Sequence, residues 1–340
     1  MSPARVAAGL LVVAAAAQVL VVVVASTSLQ EVSFRWMGLA GVALPVAVGI
    51  AGVGTLAAVV LAGSSAVRSG RRRRRAGLVA VSLALWLPVV ALSAPTLRGM
   101  ASAEDPGQGQ EFSLVTQNLW YEHPEPDDAA RRVLGLDADV LVLVEYTPQH
   151  RAALRRAGIL DRYPHRWEEP GELGGGLAVF SRLPFGEPER LSTWSGAVRL
   201  GLELDEGTVD LYAVHPVAPS DYWGLRRWKG DYTTLTDALA GAGPDTVVAG
   251  DFNATGSHQR LRKLMATADL RDAQDVSGGG FAATWPSSGW MPPVMRLDHV
   301  LVGDGIGVAG VEVLDHLGSD HRGLEAILRF PRSAGGQARP

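Results

Sequence analysis

Three stretches without a formal charge fill most of the first hundred residues: 6–25, 37–63 and 76–97. Gln18 is the one strongly polar side chain of the first, Pro45 lies in the second, and Trp86 and Pro88 lie in the third. A helix needs about twenty apolar residues to cross roughly 30 Å of hydrocarbon. Lipid offers a lone segment no other way to satisfy its backbone. A cleaved leader accounts for the first stretch alone, not for two more behind it. The sequence therefore predicts a membrane domain over 1–97, with three transmembrane helices at about 6–25, 37–63 and 76–97.

The loops orient these spans. Arg68 and Arg71 to Arg75 stand between the second and the third. The positive-inside rule makes that loop cytoplasmic. The N-terminus is then cytoplasmic, and everything after residue 97 is extracytoplasmic at the cell membrane. A run of arginines also suits nucleic acid, but its place between two apolar spans makes topology the better account. Nine arginines and one glutamate give residues 1–100 a charge of +8, so the overall −4 leaves −12 on residues 101–340. Residues 98–110, rich in Gly, Gln, Ala and Ser, read as a linker, and 331–340 as a disordered tail. Cysteine is absent, which excludes disulfides, thiolate metal sites and a cysteine nucleophile.

Between linker and tail, residues 111–330 mix two periodicities. Strands are predicted over 111–117, 139–144, 177–181, 198–204, 208–214, 245–249, 297–302 and 308–314, and 322–329 closes the domain. Helices are predicted over 127–135, 147–157, 223–240 and 257–265. Hairpins alternate with crossovers, so the domain is α/β or α+β with more than one layer.

Polar residues collect where these strands end. Gly250-Asp251-Phe252-Asn253 follows a β-branched apolar run, and Asp251 and Asn253, two apart, emerge on one side. Gly250 gives the backbone room to turn or to let a ligand approach. Glu145 follows Leu141-Val142-Leu143-Val144, where a carboxylate is costly unless solvated, paired or bound to a metal. Asn118, His215, Asp298, Asp320 and His321 hold similar places. Each alone has a plainer explanation. Asp251 and Asn253 suit an Asx turn, Glu145 a helix entry, Asp298 a salt bridge to Arg296, and Ser319-Asp320-His321 a solvated turn. His299 points to the face opposite Asp298. His123, His150, His165 and His258 read as surface or cleft-edge residues.

Taken in order, Asn118, Glu145, Val214-His215-Pro216, Gly250-Asp251-Phe252-Asn253, Leu297-Asp298-His299 and Ser319-Asp320-His321 resemble the pattern of the endonuclease/exonuclease/phosphatase superfamily, over about residues 111–330. Within it, the chain looks most like bacterial members anchored by several N-terminal spans. The resemblance implies a four-layer sandwich, two packed β-sheets flanked by helices as in deoxyribonuclease I, and cleavage of phosphate esters that depends on a divalent metal, Mg²⁺ or Mn²⁺. It makes Glu145 the main metal ligand, with Asn118 close by and Asp320 as a further ligand or an aid to the leaving group. Asp251 would orient or deprotonate the attacking water, and Asn253 would hold that water or a phosphate oxygen. His215 and His321 would contact the phosphate, with Asp298 orienting His321. Trp120 departs from the pattern, because the abasic-site endonuclease branch has an acid there. That puts a second tightly held metal in doubt.

The chemistry favours the same residue types. Mg²⁺ prefers oxygen ligands, and an imidazole beside a carboxylate keeps one tautomer and a raised pKa. No Gly-x-Ser-x-Gly elbow and no phosphate-binding Gly-x-x-x-x-Gly-Lys loop occurs. The substrate classes left open are nucleic acid, a phospholipid or sphingolipid headgroup, and a small phosphomonoester. A domain at −12 is a poor surface for long nucleic acid. Arg226, Arg227 and Lys229, set among Tyr222, Trp223, Trp228 and Tyr232, could stack bases or rest at lipid headgroups, although inward-packed aromatics are the plainer reading. Trp285-Pro286 and Trp290-Met291-Pro292-Pro293 could form a cleft lip, with Trp285 packing on the sheet. An inactive membrane module that binds a phosphorylated ligand would need its metal or base residues lost, and they are present.

Overall fold

The computed structural model describes residues 103–280, 282–290, 292–315 and 318–331. The three predicted spans and the tail from 332 onward lie outside the described residues, among which no helix is long and apolar enough to cross a membrane.

Two six-stranded mixed sheets form the domain. The first runs, in spatial order, β11 (Gly307–Leu314), β12 (Gly323–Pro331), β1 (Gly109–Asn118), β2 (Val140–Val144), β4 (Leu177–Ser181) and β3 (His165–Glu169). The second runs β5 (Glu189–Arg190), β6 (Gly196–Leu204), β7 (Gly207–His215), β8 (Thr246–Asp251), β10 (Asp298–Val302) and β9 (Arg271–Asp272). Six helices accompany them among the described residues: α1 (Pro126–Leu134), α2 (Pro148–Arg156), α3 (Ile159–Arg162), α4 (Tyr222–Leu239), α5 (Gln259–Thr267) and α6 (Ala273–Val276).

Both sheets share one pairing logic. The central pair is parallel, β1 with β2 and β7 with β8, and every other neighbour is antiparallel. Parallel strands end together, and their antiparallel neighbours begin at the same edge. Val144 at the end of β2 faces Leu177 at the start of β4, His215 at the end of β7 faces Gly196 at the start of β6, and Asp251 at the end of β8 faces Asp298 at the start of β10. One edge of each sheet thus gathers polar residues from distant parts of the chain.

The apolar run of β2 is covered on both faces. Val140, Val142 and Val144 point into the core between the sheets, with Leu200, Leu211, Val247 and Val300. Leu141 and Leu143 point outward onto Val133 of α1 and Leu154 of α2. Fully burying one such side chain contributes about 1.5–3 kcal/mol. On the second sheet, α4 buries Trp228 and Tyr232, and the Tyr232 hydroxyl donates to the Phe252 carbonyl at 3.0 Å. The aromatics of α4 are divided, because Tyr222 and Trp223 in its first turn stay exposed.

Candidate active site

The site forms where the polar edges of the two sheets meet. Asn118 ends β1, and its amide nitrogen lies 3.0 Å from Glu145 Oε1, just past β2, and 3.0 Å from Asp251 Oδ2 on the other sheet. One side chain therefore ties the sheets together. Its oxygen accepts the Trp120 N–H at 2.8 Å, so Asn118 acts here as a bridge between two acids. Glu145 Oε2 accepts the Tyr121 N–H at 2.7 Å.

Trp120 (φ +57°), Glu145 (φ +54°), Leu173 (φ +52°) and Asn253 (φ +47°) all hold left-handed backbone at or beside this edge. That conformation costs a non-glycine residue on the order of 1–2 kcal/mol, and it turns each chain sharply as it leaves its strand. Gly250 (φ +151°) has a different task from the ligand approach considered above. A Cβ there would lie 1.8 Å from the Val214 carbonyl oxygen, so the glycine makes room for the neighbouring strand.

Asp251 is fully buried at the centre. Oδ1 accepts the Asn253 N–H at 2.7 Å, the Asx turn considered above, while Oδ2 faces the Asn118 amide, His321 Nε2 at 3.7 Å and His215 Nε2 at 3.9 Å. Asn253 donates to the Pro216 carbonyl at 3.0 Å, and its amide nitrogen lies 3.5 Å from His215 Nε2. Asp298 does not pair with Arg296. Its Oδ2 lies 2.8 Å from His321 Nδ1, whereas Arg296 bonds Asp275 at 3.0 Å and lies 3.5 Å from Asp272. Arg296 turns instead to the buried Asp272 and the half-buried Asp275. His299 turns away from Asp298, as predicted, and lies 2.6 Å from Asp272 Oδ2 and 2.9 Å from the Ala254 carbonyl.

The charges follow from these contacts. Burial lowers the His321 pKa, but the carboxylates of Asp298 and Asp251 outweigh it and push the imidazole to about 10. Burial lowers His215 as well, and there the attraction of Asp251 does not make up the difference. Burial raises Asp251; the His321 charge works against this and the Asp298 charge with it. Burial also raises Glu145, against the bonds from Tyr121 and Asn118.

A divalent cation fits this donor set. Asp298 Oδ1 is buried without a hydrogen-bond partner, and ligand atoms of Asp251, Asp298 and His321 lie within 4.8 Å of one another. That trio already holds a cation, the protonated His321. Glu145 has no ion pair among the described residues, and hard cations prefer its oxygens to an imidazole. Asp320 sits half-buried, with Trp285 Nε1 at 3.4 Å from its Oδ2. Burial raises the Tyr121 hydroxyl, helped by Glu122, Glu145 and Asp320, so both candidate metal carboxylates bear on one phenol.

Several contributors lie outside the sequence motifs. Ser195 Oγ faces His215 Nδ1 at 3.2 Å. Asp231 of α4, fully buried, accepts the backbone N–H of Trp194 at 2.7 Å and of Val217 at 3.0 Å. His150 is no surface residue: at the third position of α2 it forms a capping box with Thr147 and is buried. His123 stacks edge-on against Trp120 and His150. The one local signal for these was Thr147-Pro148 with a polar residue at 150. Ser195 and Asp231 have none.

Among solved structures, that of D. rerio TDP2 complexed with single-strand DNA product is similar at a TM-score of 0.52 and 16% identity, covering 65% of this chain and 99% of that one. The endonuclease/exonuclease/phosphatase from Beutenbergia cavernae DSM 12333 gives 0.50 at 20% identity, covering 65% and 72%. Truncated Caenorhabditis elegans TDP2 gives 0.50 at 15% identity, covering 64% and 97%. At such identities the likeness speaks for the fold. No curated protein matches the chain in sequence. The description "Endonuclease/Exonuclease/phosphatase family" matches residues 115–321, a span that runs from the buried Val115 of β1 to His321 and takes in every site residue above. The chain belongs to that family, whose members are hydrolases acting on phosphate esters.

Proposed function

We propose that the chain is a membrane-anchored, divalent-metal-dependent phosphodiesterase that cleaves by attack of water on phosphorus. The observation that supports it most is the junction of Asn118, Glu145, Asp251 and His321 across two sheets, which packing alone does not call for. Asp251, a stronger base because burial raises its pKa, takes a proton from water as the new P–O bond forms. The P–O bond to the leaving group then breaks, and the departing oxygen takes up a proton in turn, so a diester and water give a monoester and an alcohol. His321, held as a cation by Asp298, offers Nε2–H to the phosphate as negative charge builds. His215, lowered by burial, bonds a phosphate oxygen without adding charge. The pair illustrates how environment separates the roles of like residues. Asn253, pinned to the Pro216 carbonyl, positions the water or a phosphate oxygen. A bound Mg²⁺ or Mn²⁺, held by Glu145 and Asp320, would neutralise phosphate charge and favour ionisation of water.

Anchoring through 6–97 and an extracytoplasmic site rest on the uncharged runs and the arginines between them. The full chain purified in detergent should hydrolyse bis(p-nitrophenyl) phosphate with Mg²⁺ or Mn²⁺ and stop on chelation. Asp251→Ala and His321→Ala should each lower kcat by 10²-fold or more. Wild-type rates in both variants would remove these residues from the reaction.

A further inference from the structure

Among the described residues, seven large hydrophobic side chains stand exposed, and six of them lie on segments that run to the site: Tyr121, Leu173, Trp194, Tyr222, Trp223 and Trp290. The seventh is Leu160, in α3. Tyr121, Leu173 and Trp194 adjoin site residues directly, and Tyr222, Trp223 and Trp290 stand on segments that lead to or from site residues. The Tyr121 N–H bonds Glu145. Leu173 precedes Gly174, where an added Cβ would lie 3.5 Å from Tyr121 and 3.7 Å from the Glu145 carboxyl carbon. Trp194 precedes Ser195, the partner of His215. Tyr222 and Trp223 open α4 shortly after His215-Pro216. Trp290 stands in the loop between Trp285, which faces Asp320, and Asp298. Leu173 is 87% exposed and Trp290 94%. Covering such side chains is worth about 1.5–3 kcal/mol each, and apolar surface gathered around a polar mouth marks a docking surface.

Two partners suit aromatic groups with arginine, namely single-stranded nucleic acid and the headgroup layer of a bilayer. Base stacking needs a π-face, and Leu173 has none. Nucleic acid also rewards a basic surface, while residues 101–340 carry −12. The bilayer interface accepts Trp, Tyr and Leu together. Arg227 lies over the Trp194 ring at 4.9 Å and Arg226 over Trp223 at 5.9 Å, so the rim presents cations at the level of lipid phosphates. Three uncharged runs in the same chain would hold it there. We infer that this rim rests in the headgroup layer and that the site takes its phosphate ester from a membrane lipid; the substrate half of this rests on the phosphoesterase reading above.

The absence of cysteine makes a single introduced thiol unique. Leu173→Cys, Trp290→Cys and, as control, Leu160→Cys are labelled with a nitroxide in the full chain, reconstituted into vesicles of phosphatidylethanolamine and phosphatidylglycerol. Labels at 173 and 290 should be accessible to oxygen and shielded from a nickel chelate, whereas the label at 160 should meet the chelate freely. In parallel, Leu173→Ser/Trp290→Ser should lower the ratio of vesicle phospholipid consumed to bis(p-nitrophenyl) phosphate hydrolysed at least tenfold. Chelate-exposed labels at 173 and 290 overturn the docking surface. An unchanged ratio, or a loss confined to cleavage of single-stranded DNA, overturns the lipid substrate. A wild-type chain that hydrolyses none of these with any divalent metal overturns the phosphoesterase reading and the lipid substrate with it, and label depth still decides the docking surface.

Discussion

His215 and His321 face the same oxygen of Asp251, yet burial prevails at one and neighbouring carboxylates at the other. The difference is Asp298, which bonds His321 Nδ1, while His215 Nδ1 meets the neutral hydroxyl of Ser195. A residue away from the mouth sets the geometry of the neutral imidazole. Asp231 accepts N–H groups from Trp194 and Val217, which lie in the two segments flanking His215. In Asp231→Asn, one of those donors would face an NH₂ group, and a buried donor left unsatisfied costs about 1–3 kcal/mol. The variant should melt at a lower temperature. Well below that melt, kcat should fall roughly tenfold with KM nearly unchanged, because His215 is misplaced more for the transition state than for binding. A variant destabilised yet fully active would reduce Asp231 to a structural role.

At the scale of elements, the strands that end in the site were legible because they are buried and β-branched, and their polar ends stand out against that background. Three of the four edge strands were not, β11 being the exception. β3 (His-Arg-Trp-Glu-Glu), β5 (Glu-Arg) and β9 (Arg-Asp) are short and charged, the composition that keeps a sheet edge from pairing with another chain, and such segments show no alternation. Motif order named residues that meet at this junction, but not who pairs with whom. Arg296 is two residues from Asp298 and instead joins Asp272, whose partners, His299 and Arg296, are 27 and 24 residues away in sequence. Asp272 also caps α6 through the Gln274 N–H at 3.0 Å. Burial alone would raise this carboxyl, but Arg296 and His299 hold it at about 2, below its ordinary 3.8. A depressed acid stabilises the fold at pH values above its unfolded pKa, and that contribution is lost as pH falls through the folded value. The shift is worth about 2 kcal/mol. Asp272→Asn should therefore lower the melting temperature clearly at pH 7, and the gap from wild type should narrow between pH 4 and pH 2. A gap independent of pH would show that capping, and not charge, is the main role of Asp272.

For the whole molecule, two sheets with the same antiparallel and parallel order bring their polar edges to one place, and Asn118 closes the junction. Hydrophobic pattern predicts that two such sheets pack, but which edges coincide depends on the twist and on loops such as 171–176 and 283–297, whose sequences are Gly- and Pro-rich and aperiodic. The first hundred residues were read from charge and length alone. The central claim is that Glu145, half-buried at the end of a buried strand and without an ion pair among the described residues, holds the cation on which hydrolysis depends. The direct measurement is the Mn²⁺ concentration dependence of bis(p-nitrophenyl) phosphate hydrolysis by the full chain, wild type against Glu145→Gln, with Mn²⁺ binding followed by electron paramagnetic resonance. The account predicts that the half-activating Mn²⁺ concentration rises at least tenfold in the variant and that the tightest Mn²⁺ site disappears from the spectrum. Wild-type Mn²⁺ affinity and activation in Glu145→Gln would contradict it.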